Sequence, residues 1–303
     1  MADRGTTVLV AGSLHYDIIV EADHLPRRDE TAVGTRWFPK FGGKGGNQAV
    51  AARGNGVPAR MAGAVGDDTF GVFLRERLQQ SGVDHRPVAT LAGVGSGMSV
   101  AIMDSTGDYA ATIVSGANLL ISLADLTDAR VWQDVGLLVL QNEVHESVNI
   151  AAATEARRRG LRTLLNAAPS RPMSPGITAL VDILVVNAVE AEMMGANPVT
   201  TLSAAAEAAK LLSDRFEAVV VTAGALGLAA WSSEDEEFTI PAENITVVSS
   251  HGAGDAFIGA LAAGIVKGAT FHAACAAASH AAAEHVAGRP ATISAPLVPD
   301  PAV

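Results

Sequence analysis

The chain predicts an α/β fold in which helices sandwich a mostly parallel central sheet. Three observations carry that prediction. From residue 136 onward, short apolar strands alternate with Ala-rich helical runs, the rhythm of a sheet covered on both faces. Polar residues recur just past the strand ends, at Glu143, Asn166, Asn187 and Thr222, with Asp255 beyond them. In such a sheet those positions line one crevice. Two glycine-dense loops, one early and one late, each open onto an Ala-rich helix.

In chain order, Thr6–Gly12 reads as a buried strand ending in a turn. Asp17 follows, running into a second strand, Ile18-Ile19-Val20. Residues 21–40 are polar and broken by Pro26, Gly34 and Pro39, with β-like pieces such as Thr31-Ala32-Val33, and read as a small flap. Phe41-Gly42-Gly43-Lys44-Gly45-Gly46-Asn47-Gln48 then enters a helix. Its glycines permit close approach of another molecule to the backbone. Ala59–Gly66 is a strand, and Asp67-Asp68-Thr69 caps a helix through Gln80. Ser99–Met103 and Tyr109–Val114 flank Asp104-Ser105-Thr106-Gly107-Asp108 as a hairpin, followed by Ser115-Gly116-Ala117-Asn118.

The regular part follows: strand Gly136–Leu140, helix Ser147–Arg159, strands Thr163–Asn166 and Ile183–Asn187, helix Leu202–Arg215, and strand 218–224. Ile245-Thr246-Val247-Val248 is β-branched and apolar, and reads as a last buried strand before Ser249-Ser250-His251-Gly252-Ala253-Gly254-Asp255. A helix follows from Ala256, and the Pro-rich tail from Ala295 is expected to fray. The whole, 1–303, is expected to form a single domain.

Composition narrows the function. Apolar residues make up 49% and charged residues 17% of 303, which argues for a packed core and against disorder. No apolar run approaches the ~20 residues that span a bilayer, and a start that enters a strand directly suggests no signal peptide. A net charge of −11 opposes nucleic-acid binding, and Arg157-Arg158-Arg159 reads as a helix C-terminal cluster. Cys275, alone, fits a reducing cytoplasm and a core position. His272, His280 and His285 share a helix without the spacing of a zinc site.

The late loop is the chemically richest stretch. Gly252, Ala253 and Gly254 leave backbone N–H groups bare at a helix start, where the dipole favours an anion. Asp255 then either stabilises the helix N-terminus or serves as a general base beside an oxyanion cradle during phosphoryl transfer. Asn187 and Glu190, three apart at a helix start, suit either a capping box or Mg²⁺ held through water. Thr222-Ala223-Gly224-Ala225-Leu226-Gly227 either holds phosphate oxygens or only joins two strands. No Gly-Lys-Ser/Thr loop and no dinucleotide fingerprint occur, so neither a P-loop fold nor an NAD(P) fold is supported.

Taken together, these residues resemble the ribokinase-like (phosphofructokinase-B) family of sugar kinases, with ribokinases the nearest subgroup. Gly42-Gly43-Lys44-Gly45-Gly46-Asn47-Gln48-Ala49 and Gly252-Ala253-Gly254-Asp255 carry the match, with Asp17, Ser115–Asn118, Glu143, Asn187-x-x-Glu190 and Thr222-x-Gly224 in family order between them. The resemblance implies a small β-sheet lid from about 14–40 and 97–115, often the dimer contact, hence a homodimer. It implies Asp255 as base and Gly252, Ala253 and Gly254 as the anion hole. Asp17, Gly42, Gly43, Lys44, Asn47 and Glu143, with His15, would hold the acceptor. Asn187 and Glu190 would organise Mg²⁺, and Asn187, Thr222, Gly224 and Gly227 would face ATP.

Three departures stand out. His15 occupies a position where ribokinases carry Asn. Ser249-Ser250 replaces the usual Asp-Thr and Gly288-Arg289-Pro290-Ala291-Thr292 an expected glycine-alanine turn, so activation by a monovalent cation such as K⁺ is expected to be weak or absent. The implied activity is ATP-dependent phosphorylation of a primary hydroxyl on a pentose or similar small sugar, in the cytoplasm. A nucleoside kinase of the same family and a non-catalytic sugar- or nucleotide-binding protein are the alternatives.

Overall fold

The computed structural model describes residues 5–104 and 109–289. The expected tip at 105–108, the end of the turn at 290–292 and the tail from 295 lie outside them. The chain opens with β1 (Thr7–Ala11), then β2 (His15–Ala22) and β3 (Gly34–Gly42). It returns through α1 (Lys44–Gly54), β4 (Ala59–Gly66), α2 (Thr69–Gln80) and β5 (Val88–Leu91). A second excursion supplies β6 (Met98–Met103) and β7 (Tyr109–Val114). Next come β8 (Val135–Gln141), α3 (Glu146–Arg158), β9 (Arg162–Asn166), α4 (Pro175–Thr178), β10 (Ile183–Asn187) and α5 (Ala188–Met193). Then α6 (Leu202–Leu212) and β11 (Ala218–Thr222) lead to the hairpin β12 (Gly227–Ser232) and β13 (Glu236–Pro241), and to α7 (Ala253–Val266) and α8 (Phe271–Val286).

Among the described residues the main sheet runs β13-β12-β11-β10-β9-β8-β1-β4-β5. From β5 across to β11 every neighbouring pair is parallel, and the β12–β13 hairpin closes one edge antiparallel. Alternate residues of each strand enter opposite cores. Leu9, Leu138, Leu165, Leu184 and Val219 pack with Ala152 of α3 and Ala205 of α6. Val8, Val10, Leu137, Val139 and Val220 pack with Ala52 of α1, Leu74 of α2, Leu261 of α7 and Ala274 of α8. Strands buried on both faces are what a parallel sheet requires, and they explain the continuous apolar runs.

The alanines and glycines read as helix formers also set how closely helices approach. A Cβ on Gly259 would stand 2.4 Å from that of Ala51, and one on Gly264 would stand 2.9 Å from that of Ala274. Contact this tight between α1, α7 and α8 excludes larger side chains. Cys275 lies fully buried in the same layer, where loss of solvation pushes its thiol pKa up, so it packs as a small core residue.

The order in which strands are added reverses between the parallel neighbours β1 and β8: β4 and β5 build outward on one side, β9 to β13 on the other. A crevice opens at the carboxyl ends of strands at such a point, and there the site lies. Over it stands a second sheet in the order β3-β2-β6-β7, drawn from the two segments expected in the lid. Its central pair, β2 and β6, is parallel and sets Asp17 beside Ser99. The antiparallel β2–β3 pair sets Asp17 opposite Lys40.

Two local expectations fail. Ile245–Val248 is not a buried strand: the segment is irregular, and Val247 and Val248 are exposed. The sheet edge it would join is already filled by β13, so its apolar side chains wall a cavity instead. Thr31-Ala32-Val33 is loop, and pairing begins only at Gly34.

Candidate functional site

At the switch point Ser13, just past β1, donates its hydroxyl to Oε2 of Glu143, just past β8, at 2.5 Å. The same oxygen accepts the backbone N–H of Lys44 at 2.8 Å. Glu143 thereby ties the two central strands to the start of α1. Gly43, at φ +85°, turns the chain into that helix, and a Cβ there would strike the backbone of Leu14 and His15. The molecule that approaches this glycine cluster closely is the chain itself. A Cβ on Gly42 would fall 1.9 Å from Oδ2 of Asp17, so the glycine makes room for that carboxylate.

Asp17 is buried and accepts the Ser99 hydroxyl at 2.5 Å. Burial raises its pKa, against the pull of Ser99, His15, His251 and Lys40. His15 is 4% exposed, and its Nε2 has no hydrogen-bond partner among the described residues.

Asp255 sits in the first turn of α7, 8% exposed. Its Oδ2 accepts Nδ2 of Asn47 at 3.1 Å, and its Oδ1 accepts Nε2 of Gln48 at 3.0 Å. Two adjacent amides of α1 therefore aim the carboxylate. Burial pushes its pKa above the usual carboxylate range; Lys44 and the two amides pull it back, while Glu143 adds to the rise. The helix start is bare, with Gly252 at φ +84° and no side-chain cap. Among the described residues the N–H groups of Gly252 and Gly254 find no acceptor, while that of Ala253 reaches Ser250 O at 3.3 Å. From α8, Nε2 of His285 lies 2.9 Å from the carbonyl oxygen of His251 and braces the loop.

Three cavities run past these groups. The first, about 640 Å³, is walled by Thr222, Gly224, Gly227, Val247, Ser250 and Ala253. A second, about 240 Å³, is lined by Lys44, Asn166, Asn187, Glu190, Thr222 and Asp255. The third, about 280 Å³, is lined by Lys40, Asn47, His251, Gly252, Asp255 and His285, among others. Thr222 and Gly254 border both the first and the second, and Gly252 and Asp255 both the second and the third. The three form one trough, with Asp255 where the last two meet.

Asn187 and Glu190 do form a capping box: Glu190 Oε2 accepts the N–H of Asn187 at 2.9 Å, and Asn187 Oδ1 accepts the N–H of Glu190 at 2.8 Å. The cap fixes Glu190 in the wall of the middle cavity, where burial raises its pKa against its bond to Asn187 and the charge of Lys44. Glu190 Oε1 takes no protein hydrogen bond among the described residues.

The expected residues thus gather around one trough. Asp17, His15, Gly42, Gly43 and Glu143 stand behind its lining, and the others border it. Sequence reading gave no role to Ser13, Lys40, Gln48 or Ser99. Gln48 follows Asn47 in the glycine-rich stretch, and that adjacency was the only local signal for it.

Comparison with known proteins fits this geometry. A sequence model described as pfkB family carbohydrate kinase matches residues 6–297. The chain belongs to that family. It is 34% identical over 264 residues to a ribokinase of Mus musculus, covering 86% of this chain and 82% of that one. It is 31% identical over 296 residues to a deoxyribokinase of Salmonella typhi, covering 96% of each. The structure of Arabidopsis thaliana ribokinase complexed with ribose and ATP superposes with a TM-score of 0.86 at 27% identity, covering 93% of both chains. The protein is therefore a ribokinase-like, ATP-dependent carbohydrate kinase.

One consequence concerns Gln48. Its amide favours the charged form of Asp255, so Gln48→Leu raises the pKa of that carboxyl further. The acid limb of the kinase's pH–kcat/KM profile is expected to move to higher pH in this variant. An unmoved limb would separate Gln48 from the titration of Asp255.

Proposed function

We propose that the kinase transfers the γ-phosphoryl group of ATP to a primary hydroxyl of a pentose or similar small sugar, with Asp255 as general base. The observation that carries this reading is the position of Asp255: buried, held by two amides, and shared by two cavities beside unpaired helix N–H groups. The largest cavity, with Thr222, Gly224 and Gly227, takes the nucleoside of ATP, and the middle one, with Asn187, takes its phosphates.

Asp255 removes the proton of the acceptor hydroxyl as the oxygen bonds to the γ-phosphorus and the bond to the ADP oxygen breaks. A carboxylate with a raised pKa is a stronger base, which favours this step near neutral pH. The N–H groups of Gly252 and Gly254, helped by that of Ala253 and the dipole of α7, receive the charge on the transferred group. Lys44 adds positive charge from the side of α1. Asn47 and Lys44 meet the acceptor's other hydroxyls from the lining, and Asp17, Glu143 and His15, with the backbone at Gly42 and Gly43, support that wall from behind. The second sheet acts as a lid that keeps water from competing as acceptor.

The donor set fits Mg²⁺, which takes one or two carboxylates and keeps several waters. Glu190 would hold it through Oε1 and water, with Asn187 beside it, and the ion would neutralise phosphate charge. The residues present do not fit an activating K⁺. Ser249 offers no carboxylate, and the loop is held by its own bonds, Ser249 N to Val286 O and His285 to His251 O.

Exposed Trp37, Ile113 and Val114 on the second sheet support a homodimer through the lid. An unpaired, buried Cys275 supports a cytoplasmic setting, and no described helix is long and apolar enough to cross a membrane.

Wild-type kinase is expected to consume ATP with at least one of ribose, deoxyribose and fructose in preference to adenosine and uridine. Asp255→Asn keeps the fold and acceptor affinity but loses about 100-fold or more in kcat; near wild-type turnover would remove the base. Replacing K⁺ by a large organic cation should leave kcat unchanged within error, and strong K⁺ activation would show that other ligands serve. Sedimentation should give twice the chain mass of 30.9 kDa, and a Trp37→Glu variant should run as a monomer. A wild-type monomer at micromolar concentration would dismiss the lid dimer.

A further inference from the structure

The third cavity shares Gly252 and Asp255 with the middle one and is otherwise lined by different residues, a lining unusual for this chain. The protein carries a net charge of −11, yet Lys40, His251 and His285 all border this one space. Asp255, already held by Asn47 and Gln48, is the one carboxylate among the described lining residues.

Lys40 brings the charge. It faces Asp17 across the β2–β3 register, so both side chains project from the same face of the second sheet. Asp17 does not consume it. That carboxylate accepts the Ser99 hydroxyl and fills the space left by Gly42, and Lys40 makes no ion pair or hydrogen bond among the described residues. Withdrawal from solvent lowers the Lys40 pKa, with Asp17 pulling it back up. His251 comes from the loop before α7; burial and the charge of Lys40 lower its pKa against the pull of Asp17, so it meets an anion as a neutral imidazole N–H donor. Lys40, His251 and His285 all remain exposed along this space, so an unpaired ammonium beside two imidazoles is open to an anion that enters it.

We propose that the acceptor is an anionic sugar, whose carboxylate or phosphate group lies at the end remote from the reacting hydroxyl and is received by Lys40 and His251. The assignment rests on the kinase reading above, because Asp255 must fix which end carries the hydroxyl. His285 also borders the cavity, and its Nε2, 2.9 Å from the carbonyl oxygen of His251, braces the loop that carries His251. Lys44 supplies further positive charge near Asp255 and serves the phosphoryl group, so the two lysines divide between the ends of the acceptor.

The test compares matched acceptors with the intact enzyme. D-ribonate and D-gluconate carry a carboxylate and D-ribose 1-phosphate carries a phosphate, while D-ribose and D-fructose are neutral. The wild type is expected to use at least one anionic acceptor with kcat/KM about tenfold or more above the neutral ones, and the arm that succeeds identifies the group. Lys40→Met should lower the anionic-to-neutral ratio by about tenfold, chiefly through KM, and Lys40→Glu should lower it further. Raising ionic strength should erode the anionic preference in the wild type more than in Lys40→Met. A neutral acceptor that matches or exceeds every anionic one, or a ratio unmoved by both Lys40 variants, overturns the proposal. Asp255-dependent turnover confined to neutral sugars would overturn it while leaving the kinase reading intact. No turnover with any acceptor would remove both.

Discussion

The hydrogen bonds from Asn47 and Gln48 to Asp255 are the constraint on which the rest of the site depends. They join the first turns of α1 and α7, two helices whose positive ends converge on one carboxylate. The convergence requires the helices to lie close, and Gly259 against Ala51 permits that approach. A larger residue in that contact would separate the amides from the acid they hold. The Ala- and Gly-rich composition of these helices therefore serves the chemistry as much as the core.

The same economy governs the lid side. Gly42 leaves room for the carboxylate of Asp17, Ser99 anchors that carboxylate from β6, and Lys40 faces it from β3. Three strands thus fix one acid, and the field around it sets its ionisation. Burial raises the pKa of Asp17, Glu190 and Asp255 alike. In each case a nearby lysine offsets part of the rise, so three acids can share one trough without repelling each other apart.

Much of this was legible before any coordinates, and the reasons differ by element. The strands from 135 onward announce themselves because burial on both faces demands unbroken apolar runs, and the two glycine loops because few other residues could make their turns. Asn187 and Glu190 show how far spacing reaches. Three residues apart suited a cap or a metal; the cap is formed, and it leaves one carboxylate oxygen toward the cavity. Ile245–Val248 misleads because β propensity says nothing of whether a sheet edge is vacant. The charged alternation of Glu236–Pro241 conceals the strand that fills it. Ser13, Lys40 and Ser99 were illegible because their partners are set by register between distant strands, which no local pattern encodes.

The Asn47–Asp255 bond spans 208 positions of the chain. During synthesis the early residues leave the ribosome long before α7 exists, and they cannot orient an acid that has not yet been made. A nascent or C-terminally truncated chain that ends before α7 lacks the carboxylate assigned as base in the proposed mechanism. On that mechanism phosphoryl transfer is withheld until translation is nearly complete, which spares the cell a half-built enzyme acting on its ATP.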